Sequence, residues 1–265
     1  MIINKDFDRG NAFDFGRTSS DYAKYRDIYP DEFYKKIVGL GLCVKGQRVL
    51  DLGTGTGVLP RNMYKYGAEF VGADISENQI EQARLLSKEA GMNIEYIVAS
   101  AENFDFPDNI FDVVTACQCF QYFDKNIALP KIHKALKENG CFCILFMAGL
   151  PDESGIAKQS EDLVLKYNPD WTGGRMKRYS IPGTPPWAAD LFTAKNIMTF
   201  DINVTFTRQS WHGRMKTCRG IGASSLSEEK IAAWEKEHME YMQSMPEVFD
   251  ILHFVSVMNF SKKIN

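Results

Sequence analysis

Two rhythms of apolar residues alternate along the first 150 positions of the chain. Short apolar runs bounded by turn residues read as buried strands at 48–52, 69–74, 94–99, 111–116 and 141–147. Apolar positions three and four apart predict helices at 58–66, 77–90 and 126–138, with another at 31–40 ahead of the first strand. Ser76 followed by Gln79 fits an N-cap for the helix that Gly91 stops. Five strands alternating with helices predict a parallel sheet covered on both faces. At Ala148 the rhythm changes. Residues 148–196 hold five of the ten prolines and two of the four tryptophans, Trp171 and Trp187, and read as an insertion. Alternation resumes at 197–207, a sixth strand, and at 253–260, the last, with a cation-rich helix at 208–219 and an amphipathic one at 227–244 between them. The predicted architecture is α/β: a doubly wound, mostly parallel seven-stranded sheet with an inserted lid before the last two strands. Its divisions are a cover segment at 1–30, the core at 31–150, the lid at 151–196, and the last two strands with their helical lid elements at 197–265. Residues 1–20 lack clean periodicity and are expected to be mobile unless a ligand orders them.

The first strand runs straight into Asp51-Leu52-Gly53-Thr54-Gly55-Thr56-Gly57. Three alternate glycines demand a turn that few side chains tolerate, and they bring backbone close to a ligand at a helix N-terminus, where unpaired N–H groups point outward. Strand, glycine turn and helix together form a nucleotide-type site. The dinucleotide fingerprint G-x-G-x-x-G fails by one residue, because its third glycine falls on Val58. The Gly-Lys-Ser/Thr ending of a phosphate-binding loop is missing too. A second element agrees with the site. The strand at 69–74 ends in Asp74, 23 residues after Asp51, and a carboxylate there can accept both hydroxyls of a ribose.

The D-x-G-x-G-x-G spacing of residues 51–57 closely resembles the first motif of class I S-adenosylmethionine (SAM)-dependent methyltransferases. The segment Y-x-x-Y-R-x-x-Y-P at 22–30 also looks like that of methyltransferases of the trans-aconitate and ubiquinone-biosynthesis type. The resemblance covers roughly residues 20–150 and implies a Rossmann-like core with SAM as cofactor. It implies cofactor contacts from Asp51, Gly53, Thr54, Gly55 and Gly57, and from Asp74 with its neighbour Ile75. In the loop after the third strand it implies that a backbone N–H near Ala101 and the side chain of Glu102 read the adenine. Glu102 has an equally simple role as a carboxylate at a helix N-terminus. Cys117 and Gln118 follow the fourth strand, and ligands in open α/β sheets bind beyond the carboxyl ends of strands near the switch in strand order, so this stretch should face the methyl group. Arg26 has a fork of donors suited to the carboxylate of the methionine moiety. Tyr22, Tyr25 and Tyr29, three and four apart, should share one helical face as a docking stripe.

At 265 residues the chain suits an α/β domain with a small lid. A net charge of −3 and a pI of about 5.9 give no basic field, which disfavours nucleic acid or an anionic membrane and leaves small molecules as the expected substrates. No apolar run approaches the roughly 20 residues needed to span a bilayer, and the start lacks a secretory apolar core, so a cytoplasmic protein is expected. The six cysteines sit mostly in apolar runs and are expected to be free thiols. The pairs Cys117/Cys119 and Cys141/Cys143 would each share one face of a strand, a geometry unlike a zinc knuckle, so no metal is expected.

A SAM methyl is already electrophilic, so placement supplies most of the acceleration, and a general base is needed only for a hydroxyl or protonated amine. Candidates for that base are His212, Tyr122 and Tyr25. A carboxylate-bearing acceptor is suggested by Arg175, Lys177, Arg178, Arg208, Arg214, Lys216 and Arg219 among Trp171, Trp187 and Trp211; solvated surface charge explains the same residues. Competing readings are an aminopropyl transferase, an NAD-linked enzyme, and a SAM sensor without catalysis. The sequence leaves oligomeric state open.

Overall fold

The computed structural model describes residues 1–264. Seven strands form one sheet in the order β3-β2-β1-β4-β5-β7-β6. They are β1 (Arg48–Leu52), β2 (Glu69–Asp74), β3 (Glu95–Val98), β4 (Phe111–Cys117), β5 (Leu136–Gly149), β6 (Phe192–Thr207) and β7 (Val248–Lys262). Parallel registers set Leu52 beside Ala73 on one flank and beside Ala116 on the other, so the sheet winds outward in both directions from β1. The expected doubly wound α/β arrangement is present. Its far end is antiparallel: Lys263 N–H donates to Leu191 C=O and Arg208 N–H to Glu247 C=O, pairings that run oppositely along β6 and β7.

The chain divides into two compact units. One comprises Tyr29–Met147, Tyr179–Phe200 and the chain from Val255 onward. It holds α2 (Asp31–Gly39), α3 (Val58–Met63), α4 (Glu77–Glu89) and α5 (Lys125–Ala135). Leu50, Leu52, Val114, Ala116, Phe142, Ile144, Phe192 and Phe260 form its core, and burying each large apolar side chain contributes about 1.5–3 kcal/mol. Ser76 caps α4 as expected, its side chain accepting from Gln79 N–H.

The other unit comprises Met1–Ile28, Ala148–Arg178 and Asp201–Phe254. Helix α7 (Arg208–Lys216) packs on α1 (Ser19–Tyr25) and α8 (Glu228–Gln243), and α6 (Gly155–Tyr167) packs on α8. One expectation fails beside this unit. The region read as an inserted lid contains α6, opened by Ser154, whose side chain accepts from Ala157 N–H. Residues 1–20 make specific contacts: Ile2 bridges Phe13, and buried Asp8 accepts from Arg219 Nε at 2.8 Å and from Thr172 N–H at 2.7 Å. The tyrosine stripe is broken, since α1 ends at Tyr25 and Tyr29 lies beyond it against Phe33, with ring centroids 4.7 Å apart. Pro30 is the reason, because the residue before proline is driven out of helical conformation.

Among the described residues, no helix is long and apolar enough to cross a membrane.

Candidate functional site

The parallel registers bring the carboxyl ends of β1, β2, β3 and β4 side by side: Asp51 lies beside Gly72 and Thr115, and Asp74 beside Val98. The glycine turn leaves β1 at this edge. Gly53, Gly55 and Gly57 all have left-handed φ, at 64°, 56° and 73°, which explains why side chains are avoided there. Asp74 is built into the turn. Its Oδ2 accepts from Gly55 N–H at 2.8 Å and its Oδ1 from Ser76 N–H at 2.9 Å. Acid and turn are thus one hydrogen-bonded assembly at the end of β2, flanked by the exposed apolar side chains of Ile75 and Val98.

Two of the glycines answer to the protein itself. A Cβ on Gly53 would lie 2.6 Å from Cys119 Sγ, and one on Gly57 would lie 2.3 Å from the Tyr96 hydroxyl. The same tyrosine ring lies 2.7 Å from where a Cβ on Gly72 would be. Tyr96 is held by a 2.9 Å bond between its hydroxyl and Ser87 Oγ, and burial pushes its pKa up to about 12. Gly57→Ala is therefore expected to cost about 2–3 kcal/mol, from strain at positive φ plus overpacking. Urea unfolding measures it, and partial recovery in the Gly57→Ala/Tyr96→Phe double variant would assign the loss to the hydroxyl.

Asp51 lies beneath the turn at 1% exposure, and its Oδ1 accepts from Thr115 Oγ1 at 2.6 Å. Burial pushes its carboxyl up to about 6, against the hydrogen bond from Thr115, with the charge of Asp74 adding to the rise. A carboxylate whose folded pKa is raised weakens the fold at neutral pH, and the penalty disappears as pH falls below the unfolded value. Asp51→Asn is expected to stabilise the protein by about 3 kcal/mol at pH 7, at 1.36 kcal/mol per unit, and by only about 0.5 kcal/mol near pH 4. Unfolding midpoints at the two pH values check this.

Among the remaining expected cofactor residues, Ala101 is buried in the core cluster, and Glu102 Oε1 accepts from Asp124 N–H at 2.9 Å. Glu102 thus meets a helix N-terminus, that of α5, which Asp124 caps, rather than one of its own. Cys117 Sγ is 3.7 Å from the Tyr29 hydroxyl. Gln118 has φ of 65°, its N–H donating to Leu145 C=O and its amide to Met147 C=O. That left-handed residue ends β4, so Cys117 and Cys119 do not share a strand face as expected; Cys119 Sγ turns to Leu52 C=O at 3.0 Å. Tyr122 follows in a short 3-10 turn. Arg26, Tyr25 and His212 belong to the other unit. Arg26 Nε donates to Thr217 Oγ1 at 2.8 Å, the Tyr25 ring lies against Gly213, and His212 bonds to His238.

Most cations that suggested an anionic acceptor have acidic partners. Arg175 pairs with Asp162, Arg178 with Glu153 and Asp201, Arg208 with Glu247, Lys216 with Asp21 and Glu235, and Arg219 with Asp8. Tyr96 and Thr115 went unremarked in the sequence. Only the alternation within the strand at 94–99 could have marked Tyr96 as inward-facing.

A family model described as a methyltransferase domain matches residues 49–140. The uncharacterized methyltransferase YcgJ of Bacillus subtilis is 29% identical over 133 residues, 47% of this chain and 53% of that protein. The ubiquinone/menaquinone biosynthesis C-methyltransferase UbiE of Vibrio cholerae is 36% identical over 106 residues, 38% of this chain and 41% of that one. A ubiquinone biosynthesis O-methyltransferase of Chelativorans is 31% identical over 129 residues, 48% of this chain and 51% of that one. The chain spans about half the length of the curated relatives it matches. The crystal structure of YcgJ shares the fold, with a TM-score of 0.56 at 18% identity over 89% of this chain and 100% of that one.

Proposed function

Through residues 49–140 the chain belongs to the class I SAM-dependent methyltransferase family, and from that premise we propose that it transfers the methyl group of SAM to a small molecule. The observation that carries this reading is the joined turn and acid. Asp74 accepts from Gly55 N–H and is flanked by the exposed apolar side chains of Ile75 and Val98, an acceptor beside apolar surface that suits the hydroxyls and the flat base of a nucleoside. The turn at Gly53, Thr54, Gly55 and Gly57 would receive the methionine portion, with Asp51 supporting it from beneath. Ala101 and Glu102 would face the adenine, and Cys117 and Gln118 the methyl end. Bound there, the cofactor supplies a methyl group already activated on a sulfonium; the residues around it hold, orient and exclude water.

The relatives include a C-methyltransferase and an O-methyltransferase by name, so the acceptor atom does not follow from kinship. With so many of the candidate cations paired to acids, the acceptor class proposed is a small molecule with no required anionic group. Calorimetry with SAM, decarboxylated SAM and NAD in parallel tests the cofactor, with binding of SAM alone expected. Tighter binding of either other ligand would move the chain to an aminopropyl transferase or a nicotinamide enzyme. Labelled SAM incubated with a metabolite extract then identifies the acceptor; binding without label transfer would favour a sensor.

A further inference from the structure

The unit that carries α6, α7 and α8 holds a cavity of about 220 Å³ where three stretches of that unit meet, residues 8–12, 167–170 and 219–230. Its buried lining is prebuilt. Asp8 and Arg219, only 3% and 9% exposed, pair through Asp8 Oδ2 and Arg219 Nε at 2.8 Å. Thr172 fastens both: its N–H and hydroxyl donate to Asp8 Oδ1 at 2.7 and 3.1 Å, and its oxygen accepts from Arg219 Nη2 at 2.9 Å. Asp8 and Arg9 hold left-handed φ of 48° and 53°, a conformation that costs free energy and persists only where its surroundings over-determine it. With carboxylate and guanidinium matched, this buried pair carries no net charge.

The outer lining is charged, and its charges do not meet. Asp170 accepts from Arg9 Nη1 at 3.1 Å and from Asn11 Nδ2 at 3.2 Å rather than from Lys230. Arg9 is itself 76% exposed, so water screens that pair and leaves the carboxylate available. Lys230 is exposed on the first turn of α8 and has no ion-pair partner among the described residues. Its place there gains nothing from the helix, because the macrodipole disfavours a cation near a helix N-terminus. Asn168 lines the same cavity and gives Nδ2 to Gly220 C=O at 2.9 Å, so its other polar atom is a carbonyl oxygen, an acceptor only. A ligand of one sign would bring its charge against a like charge at Lys230 or Asp170; a ligand with both signs satisfies both. The volume lies below the roughly 300–1,000 Å³ of sites for drug-sized molecules, which suits an occupant smaller than a nucleoside.

We propose that this cavity binds a small zwitterion, an ammonium carboxylate of the size of a free amino acid, with its carboxylate on Lys230 and its ammonium on Asp170 and the Asn168 carbonyl oxygen. The site does not depend on the methyl-transfer reading, since every lining residue belongs to this one unit.

Amide NMR titration of the full chain with glycine, L-serine and L-asparagine tests the site, with acetate and methylammonium as single-charge controls. Saturable shifts at Asn168, Asp170, Ser225 and Lys230 are expected with at least one of the amino acids, and either control should bind at least about tenfold more weakly. Absence of any saturable shift up to about 100 mM of each amino acid would overturn the site. Acetate binding as tightly as the amino acids would overturn the zwitterion in favour of a plain anion. Lys230→Gln and Asp170→Asn should each weaken amino-acid binding by about tenfold or more. Their urea midpoints should match that of the unaltered protein, because Lys230 has no ion pair to lose and Asp170 only an exposed one. Affinity unchanged in both variants would place the amino acid elsewhere and overturn the assignment.

Discussion

Asp74→Ala is expected to weaken SAM binding by at least about 100-fold. Two ribose hydroxyls donating to a carboxylate make charge-assisted bonds of about 1.5–3 kcal/mol each, and losing both removes about 3–6 kcal/mol, two to four orders of magnitude in affinity. The substitution reaches further, because the same oxygens accept from Gly55 N–H and Ser76 N–H. Loss of those bonds loosens the turn and the entry to α4, so global stability should fall by about 1–3 kcal/mol as well. Asp74→Asn separates the two contributions: its amide oxygen can still serve one backbone N–H but can no longer offer charged acceptors on both sides. Calorimetry on variants shown by urea unfolding to be folded provides the measurement. SAM affinity that survives Asp74→Ala within a factor of three would remove the residue from the site.

Acidification from pH 7 to pH 4 is expected to destabilise the protein by about 4 kcal/mol. Burial lowers the pKa of His238 to about 3 and that of His253 to about 4. A neighbouring His212 adds to the first shift, and a bond to Ile251 C=O opposes the second. Because both folded values lie below the unfolded one of about 6.5, the unfolded chain binds more protons as pH falls through this window. Stability contributed by the two neutral histidines is therefore complete above pH 6.5 and withdrawn towards pH 4. At 1.36 kcal/mol per unit their combined loss is about 6 kcal/mol, and Asp51, whose shift has the opposite sign, returns about 2 kcal/mol. Urea midpoints across the range give the slope, which His238→Phe should flatten. A midpoint independent of pH between 6.5 and 4 would contradict the burial of both rings as neutral species.

The sheet was legible because each of β1 to β5 is a compact apolar run between turn residues, and a buried parallel strand has no other way to be written. The glycine spacing at residues 51–57 and the acid at Asp74 were legible for a similar reason: both are local features. What stayed hidden depends on partners far away in sequence. Asp8 reads as a surface acid until Arg219 is known to reach it at 2.8 Å, and His212 reads as a stray histidine in a cationic helix until His238 is brought to 2.8 Å. Gly53 and Gly57 were read as ligand clearance alone, since nothing local discloses that Cys119 and Tyr96 occupy the space beside them. The tyrosine stripe was misjudged for the opposite reason. Pro30 is a local signal, and three-and-four spacing was allowed to override it at Tyr29.

The bond between Asp8 and Arg219 joins residues 211 positions apart. A ribosome adding about 5–20 residues per second needs roughly 10–40 s to deliver Arg219 after Asp8 has been made. Throughout that interval the acid lacks Arg219, and the first eighteen residues lack the distant contacts, to Thr172, Arg219, Ala223 and Ser224, that they make in the finished protein. Their docking is thus a late event in the birth of the chain. A nascent polypeptide stalled before Arg219 should expose its amino terminus to protease, whereas one released in full should protect it.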